Sequence, residues 1–122
     1  MNIQDLRVGI TLYDSVRDKN IKIEPKHFKE LFIAEKKFFD RYKPVELTED
    51  LLLRLGFQKT YGYRYKDLKL LGRWIVYKSF VGDEIISKPF LRFDGIADIY
   101  DLHSLQNFIY VLTNTELILN SQ

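Results

Sequence analysis

The stretch from Thr60 to Phe93 constrains the fold most, because its side chains alternate rather than recur at helical spacing. Tyr61, Tyr63 and Tyr65 interleave with Gly62, Arg64 and Lys66, and the β-rich runs Arg73 to Phe80 and Lys88 to Phe93 follow. Period-2 alternation with aromatic and β-branched enrichment predicts three strands. The separators, Lys66-Asp67 with Leu71-Gly72 and then Gly82-Asp83-Glu84, contain good turn residues. Connections this short suit antiparallel pairing, so the expectation is a three-stranded antiparallel meander.

The flanks add helices and a hairpin. Val8, Ile10 and Leu12 fall on one side of an extended chain, Asp18-Lys19-Asn20 reads as a turn, and Ile21 and Ile23 alternate with Lys22 and Glu24. Residues 8 to 24 therefore read as a β-hairpin that ends at Pro25. Proline suits a first helical turn, and Phe28, Leu31 and Phe32 follow at helical spacing, predicting a helix from about Pro25 to Lys37. Its extension to Tyr42 stays open, since Lys43 before Pro44 must be extended. In Leu47 to Phe57, Thr48 can cap, Glu49 and Asp50 occupy the first turn and Gly56 can close the end. Leu47 and Leu52 form a hydrophobic staple, and Leu51, Leu52 and Leu55 make the buried face of this short helix. A last helix, capped by Asp98 or Asp101, carries Leu102, Leu105, Ile109 and Leu112 at spacings of three and four. It should end near Asn114, and Glu116 to Leu119 is expected to add an edge strand. The expected architecture is α+β: a single domain over residues 1–122 with an N-terminal hairpin, two helices, the meander and a C-terminal helix packed on the sheet.

The chain has 122 residues, 46% hydrophobic and 30% charged, which is enough for a buried core and is unlike a disordered composition. The absence of cysteine removes disulfide frameworks, thiolate nucleophiles and iron-sulfur clusters, and two histidines far apart, His27 and His103, make no multi-histidine metal site. No cofactor or metal is expected. No apolar run is long enough for a membrane span and no secretory signal opens the chain, so a cytoplasmic location without membrane contact is the expectation. The net charge of +2 is small, but residues 17–43 carry nine basic against five acidic side chains, residues 57–80 six against one, and residues 94–122 none against four. Such a polarity serves an anionic partner or pairs within the fold.

Two constellations are candidates for binding. His103, Gln106 and Asn107 share one face of the last helix as a polar stretch in an apolar element. Catalysis by His103 would need an orienting carboxylate and a nucleophile, and no recognised triad spacing is present. Arg64, Lys66, Lys69, Arg73 and Lys78 form a basic set interleaved with aromatics, the pattern that stacks bases and neutralises phosphates. Alternation, however, puts Tyr61, Tyr63 and Tyr65 on the face opposite Arg64 and Lys66, which favours a tyrosine-rich core with a charged outer face. The adjacent carboxylates Glu49-Asp50 and Asp83-Glu84 point apart, and no phosphate loop or nucleophile elbow occurs. These residues predict a non-enzymatic protein.

Three fragments in order carry a resemblance: Asp5-Leu6-Arg7-Val8-Gly9, the stretch from Pro44 to Phe57, and the stretch from Leu102 to Thr113. Together they resemble a family of small uncharacterised proteins encoded by phages, prophages and mobile elements of Bacteroidota, with an LRxGN-like opening, a PxPLTEEWLLKFGF-like helix and a VHQLQNLYFALTGEEL-like ending. Ile10, Leu53 and Asn114 depart from the residues common there, Asn, Trp and Gly respectively. The resemblance spans nearly the whole chain and brings no established activity. It implies an accessory protein that binds a host or phage protein, with a nucleic-acid-binding module on the basic sheet face as the alternative.

Overall fold

In the N-terminal region the alternation of Ile10 and Leu12 puts both side chains inward, and Thr11–Asp14 forms β1, paired antiparallel with β2 (Lys19–Lys22). The computed structural model describes residues 1–66, 68–76, 78–81, 84–87 and 89–119. It has the expected α+β character, and its chain divides into two compact units, Met1–Glu46 with Asp101–Gln122, and Leu47–Tyr100.

In the first unit the hairpin turn runs through Ser15 to Asp18, where Asp18 takes a left-handed φ of 53°. Asparagine and aspartate tolerate that region better than other side chains, so the turn sits slightly earlier than Asp18-Lys19-Asn20. Pro25 opens α1 (Pro25–Ile33) as its position predicts. The expected helix to Lys37 is two helices: Ala34 has φ −152° and ψ 78°, and α2 (Glu35–Arg41) follows it. The break costs no backbone hydrogen bond at Ala34, whose amide donates to Glu30 and whose carbonyl accepts from Phe38, each at 3.0 Å. Phe28, Leu31 and Phe38 keep helical spacing across it, which is why periodicity does not reveal it. Tyr42–Lys43 is already extended ahead of Pro44 and forms β3 on the other side of β1, giving the order β2-β1-β3. Ile10, Leu12, Ile23, Leu31, Phe38 and Tyr42 make the core, with the Phe38 and Tyr42 rings 4.7 Å apart.

The last helix, α4 (Leu102–Thr113), lies against β1 and ends on Asn114 in the left-handed conformation, whose amide returns to the Tyr110 carbonyl at 2.7 Å. The segment after it differs from expectation. Residues 115–119 form no strand. Their anchorage comes instead from side chains of Arg7 and Gln106, described below.

In the second unit Thr48 Oγ1 caps α3 (Glu49–Arg54), accepting from Leu51 N at 3.1 Å, and Gly56 at φ 99° turns the chain into β4 (Phe57–Lys59). The meander is larger than three strands. β5 (Tyr63–Tyr65), β6 (Gly72–Ile75), β9 (Phe90–Phe93) and β10 (Ala97–Ile99) join β4 in a five-stranded antiparallel sheet of order β10-β9-β6-β5-β4. The run Arg73 to Phe80 divides between β6 and β7 (Lys78–Val81), because β6 pairs with β9 while β7 pairs only with β8 (Glu84–Ser87). β4 and β10 are three residues each, too short for alternation to mark. Asp67, Tyr77, Gly82, Asp83 and Lys88 lie outside the described residues.

Close packing on the inner face rests on Gly72. A Cβ there would stand 2.8 Å from Leu91 Cδ1 and 3.2 Å from Phe93 Cε1, and both side chains are buried. Gly72→Ala is therefore expected to cost about 1–2 kcal/mol by overpacking, read as a lower urea midpoint at unchanged m-value.

Candidate interaction surfaces

The polar residues of α4 are brought together, but all three turn toward the protein itself, His103 and Gln106 buried and Asn107 half-buried. Gln106, 1% exposed, accepts from Thr11 N at 2.6 Å and donates to Thr11 Oγ1 at 3.1 Å and to the Leu117 carbonyl at 2.9 Å. Asn107 accepts from Arg7 Nε at 2.7 Å and donates to the Asp5 carbonyl at 2.9 Å. Arg7, which lies in the Asp5 to Gly9 fragment but has no role assigned from sequence, is the hub: it also donates to the Gln106 carbonyl at 3.1 Å, pairs with Glu116, and lies 4.3 Å from the Tyr110 ring centroid. His103, 2% exposed, keeps a buried Nδ1 with no hydrogen-bond partner among the described residues. Burial lowers its pKa below the usual histidine value against the opposing pull of Asp101 and Asp5.

The basic set separates by strand register. Tyr63 and Tyr65 are buried, whereas Arg64 between them is exposed, which is the partition that alternation predicts. Tyr61 lies outside β5 and is fully exposed. Lys66 leaves the strand in a turn with φ 48°, its ammonium 5.2 Å from the Tyr65 ring centroid, and Lys69 is exposed. Arg73 sits opposite Arg92 across β6 and β9, and each meets an acid: Arg73 pairs with Asp94 at 2.5 Å, and Arg92 holds both Asp98 carboxylate oxygens, at 2.8 and 3.1 Å. Lys78 begins β7, and its side chain is outside the described residues. Two arginines of this face thus carry a local counter-charge, and the strand tyrosines face away from the cations.

A different surface emerges at the junction of α1 and α2. Because the chain bends at Ala34, Phe32 and Ile33 project outward, each 84% exposed, while Leu31 stays in the core. Two adjacent large apolar side chains this exposed depart from what a solvated helix end requires. Beside them Ile33, Ala34, Phe38 and Tyr42 line a groove of about 330 Å³, with Lys37, Arg41 and the acid Glu30 on its rim. Burial, and then the hydrogen bond it donates to Glu30 at 2.8 Å, push the Tyr42 phenol up to about 12. The phenol therefore stays protonated in the groove at neutral pH. Sequence spacing marks Phe32 only as a member of a helix stripe and does not mark Ile33; their exposure is decided by the bend.

Among the described residues no group of three or more His, Asp or Glu side chains is placed to hold a metal ion, and no helix is long and apolar enough to cross a membrane. No protein-family model, curated protein or solved structure matches the chain.

Proposed function

We propose that this protein is a non-enzymatic accessory protein of phage or mobile-element lineage that works by binding a partner protein, and that the α1–α2 corner is where it does so. The lineage rests on the three-fragment resemblance alone. The binding surface rests on one observation: Phe32 and Ile33 stand 84% exposed beside a largely apolar groove whose rim carries Lys37 and Arg41 against Glu30. Apolar anchors next to a groove are the arrangement that receives the apolar face of a helix. Lys29, Lys36, Lys37 and Arg41 against Glu30, Glu35 and Asp40 leave a small cationic excess at this corner, which favours an amphipathic partner segment with acidic flanks.

A displayed library of helical peptides tests this. Selection is expected to enrich sequences with apolar residues at i and i+4 and with Asp or Glu on the flanks. Phe32→Ser with Ile33→Ser should weaken the selected peptides about a hundredfold, as removal of hot-spot anchors does. Both side chains are already in solvent, so thermal stability should hardly change. A selection that returns nothing, or peptides indifferent to the double substitution, removes the corner as the interface. The nucleic-acid alternative is favoured by the free exposure of Arg64 and Lys69 and opposed by the paired state of Arg73 and Arg92. Salt-sensitive binding of DNA or RNA abolished by Arg64→Glu with Lys66→Glu would put it first.

A further inference from the structure

Sharing Glu30, Arg41 and Tyr42 with the apolar groove, a polar cleft of about 390 Å³ lies in the N-terminal unit. Arg17, Lys19, Lys22, Lys26 and Arg41 line it, against the three carboxylates Asp14, Glu24 and Glu30. The acids are each engaged: Asp14 is held by Arg41 through two hydrogen bonds of 3.0 Å, Glu24 faces Lys26 at 3.7 Å, and Glu30 accepts from the Tyr42 hydroxyl. Arg17, Lys19 and Lys22 have no carboxylate partner among the described residues, so the excess positive charge of the cleft is uncompensated.

A buried donor supplements these exposed cations. His27, 8% exposed, lines the cleft from the first turn of α1. Its Nδ1 accepts from Glu24 N at 2.9 Å, so the ring proton is on Nε2, which has no hydrogen-bond partner among the described residues. The ring is fixed edge-on against Tyr42, with centroids 5.7 Å apart. Apart from Ile21 and the Tyr42 ring the lining is polar, so the cleft offers little wall for an apolar ligand.

We infer that this cleft is a binding site for a small molecule carrying two or more phosphate groups, held by Arg17, Lys19 and Lys22 and oriented by the His27 Nε2 donor. Neighbouring phosphates would be spanned by cations from the turn and from β2, while His27 supplies the fixed contact. The site does not use Phe32 or Ile33, although it shares Glu30, Arg41 and Tyr42 with the groove at the partner-binding corner.

The test is calorimetric titration of the whole chain with inorganic triphosphate, a nucleoside triphosphate and the corresponding nucleoside, at about 150 mM salt to suppress loose surface attraction. The His27 imidazole resonances are followed by NMR in parallel. Saturable binding of both phosphate compounds, a His27 shift on titration, and a loss of affinity of about tenfold or more in Lys19→Glu with Lys22→Glu are expected. Equal affinities would show that the phosphate chain alone is recognised; tighter nucleotide binding would show an added base or sugar contact. Both lysine side chains are exposed, so the variant should melt with wild type, and its melting curve is the control. Absence of heat with both phosphates, binding that leaves the His27 resonances in place, or binding untouched by the double substitution overturns the proposal.

Discussion

Gln106→Leu is expected to lower the unfolding free energy by about 3 kcal/mol. The reason lies in the sheet. β3 pairs with β1 only at Tyr13 and Asp14, so the Thr11 amide on that edge has no strand to bond. The Gln106 carboxamide stands in for one, accepting from Thr11 N and donating across to the Leu117 carbonyl. Leucine fills a similar volume and satisfies neither group, leaving a buried N–H and a buried C=O without partners. Chemical denaturation measures the loss. Gln106→Glu keeps the acceptor at every pH and loses the donor once the carboxyl ionises. Its carboxyl would be buried and so raised in pKa, giving stability that is present at low pH and lost as pH rises through that value. A Gln106→Leu protein as stable as wild type would show that water satisfies both groups.

The second large effect is at Asp14, which is 1% exposed. Its carboxylate accepts from Arg41 twice and from the amides of Val16 and Arg17 at 3.0 and 3.3 Å, so it ties β1, the hairpin turn and the end of α2 together. Asp14→Ala removes all four bonds and strands the guanidinium, at an expected cost of about 3 kcal/mol. Asp14→Asn can still accept from the turn amides and should lose less. The Arg41 hydrogen bonds, opposed by burial and aided by the two amides, hold the Asp14 carboxyl down to about 2. A carboxyl lowered on folding contributes stability that is complete above its ordinary value of 3.8 and disappears as pH falls toward 2. Wild type should therefore lose stability steeply across that interval, and Asp14→Asn should show a shallower acid limb. Identical limbs in melting series from pH 5 to about 2 would show that other carboxylates govern acid unfolding.

Local signals and their outcomes explain which features could be read without coordinates. The cap at Thr48, the Gly56 turn, the Pro25 start and the Asn114 end each depend on a few adjacent residues, and all four occur where the pattern puts them. The inward tyrosines and outward Arg64 of β5 follow from strand geometry alone. The bend at Ala34 has no local marker, since neither glycine, proline nor a capping side chain is present there. The polar face of α4 was legible as a set of residues, yet its role was not: identical spacing serves a solvent-facing site or an internal clamp.

What decided between those outcomes was the arrival of distant chain. Arg7 reaches Asn107 and Glu116 from a hundred or so positions away, and Gln106 reaches Thr11, because α4 lies against β1. Glu116 to Leu119, written like an edge strand, loses that structure because a side-chain amide occupies the place its ladder partner would take. The amino-acid sequence by itself determined the α+β class, the helix and strand character of most segments, and which face of β5 is apolar, since these follow from periodicity and capping over a few residues. Only the tertiary structure decided that Gln106 and Asn107 face inward, that Phe32 and Ile33 face out, and that cations from the turn, β2 and α1 surround one cleft, since each depends on which remote backbone groups remain unsatisfied once the elements have packed.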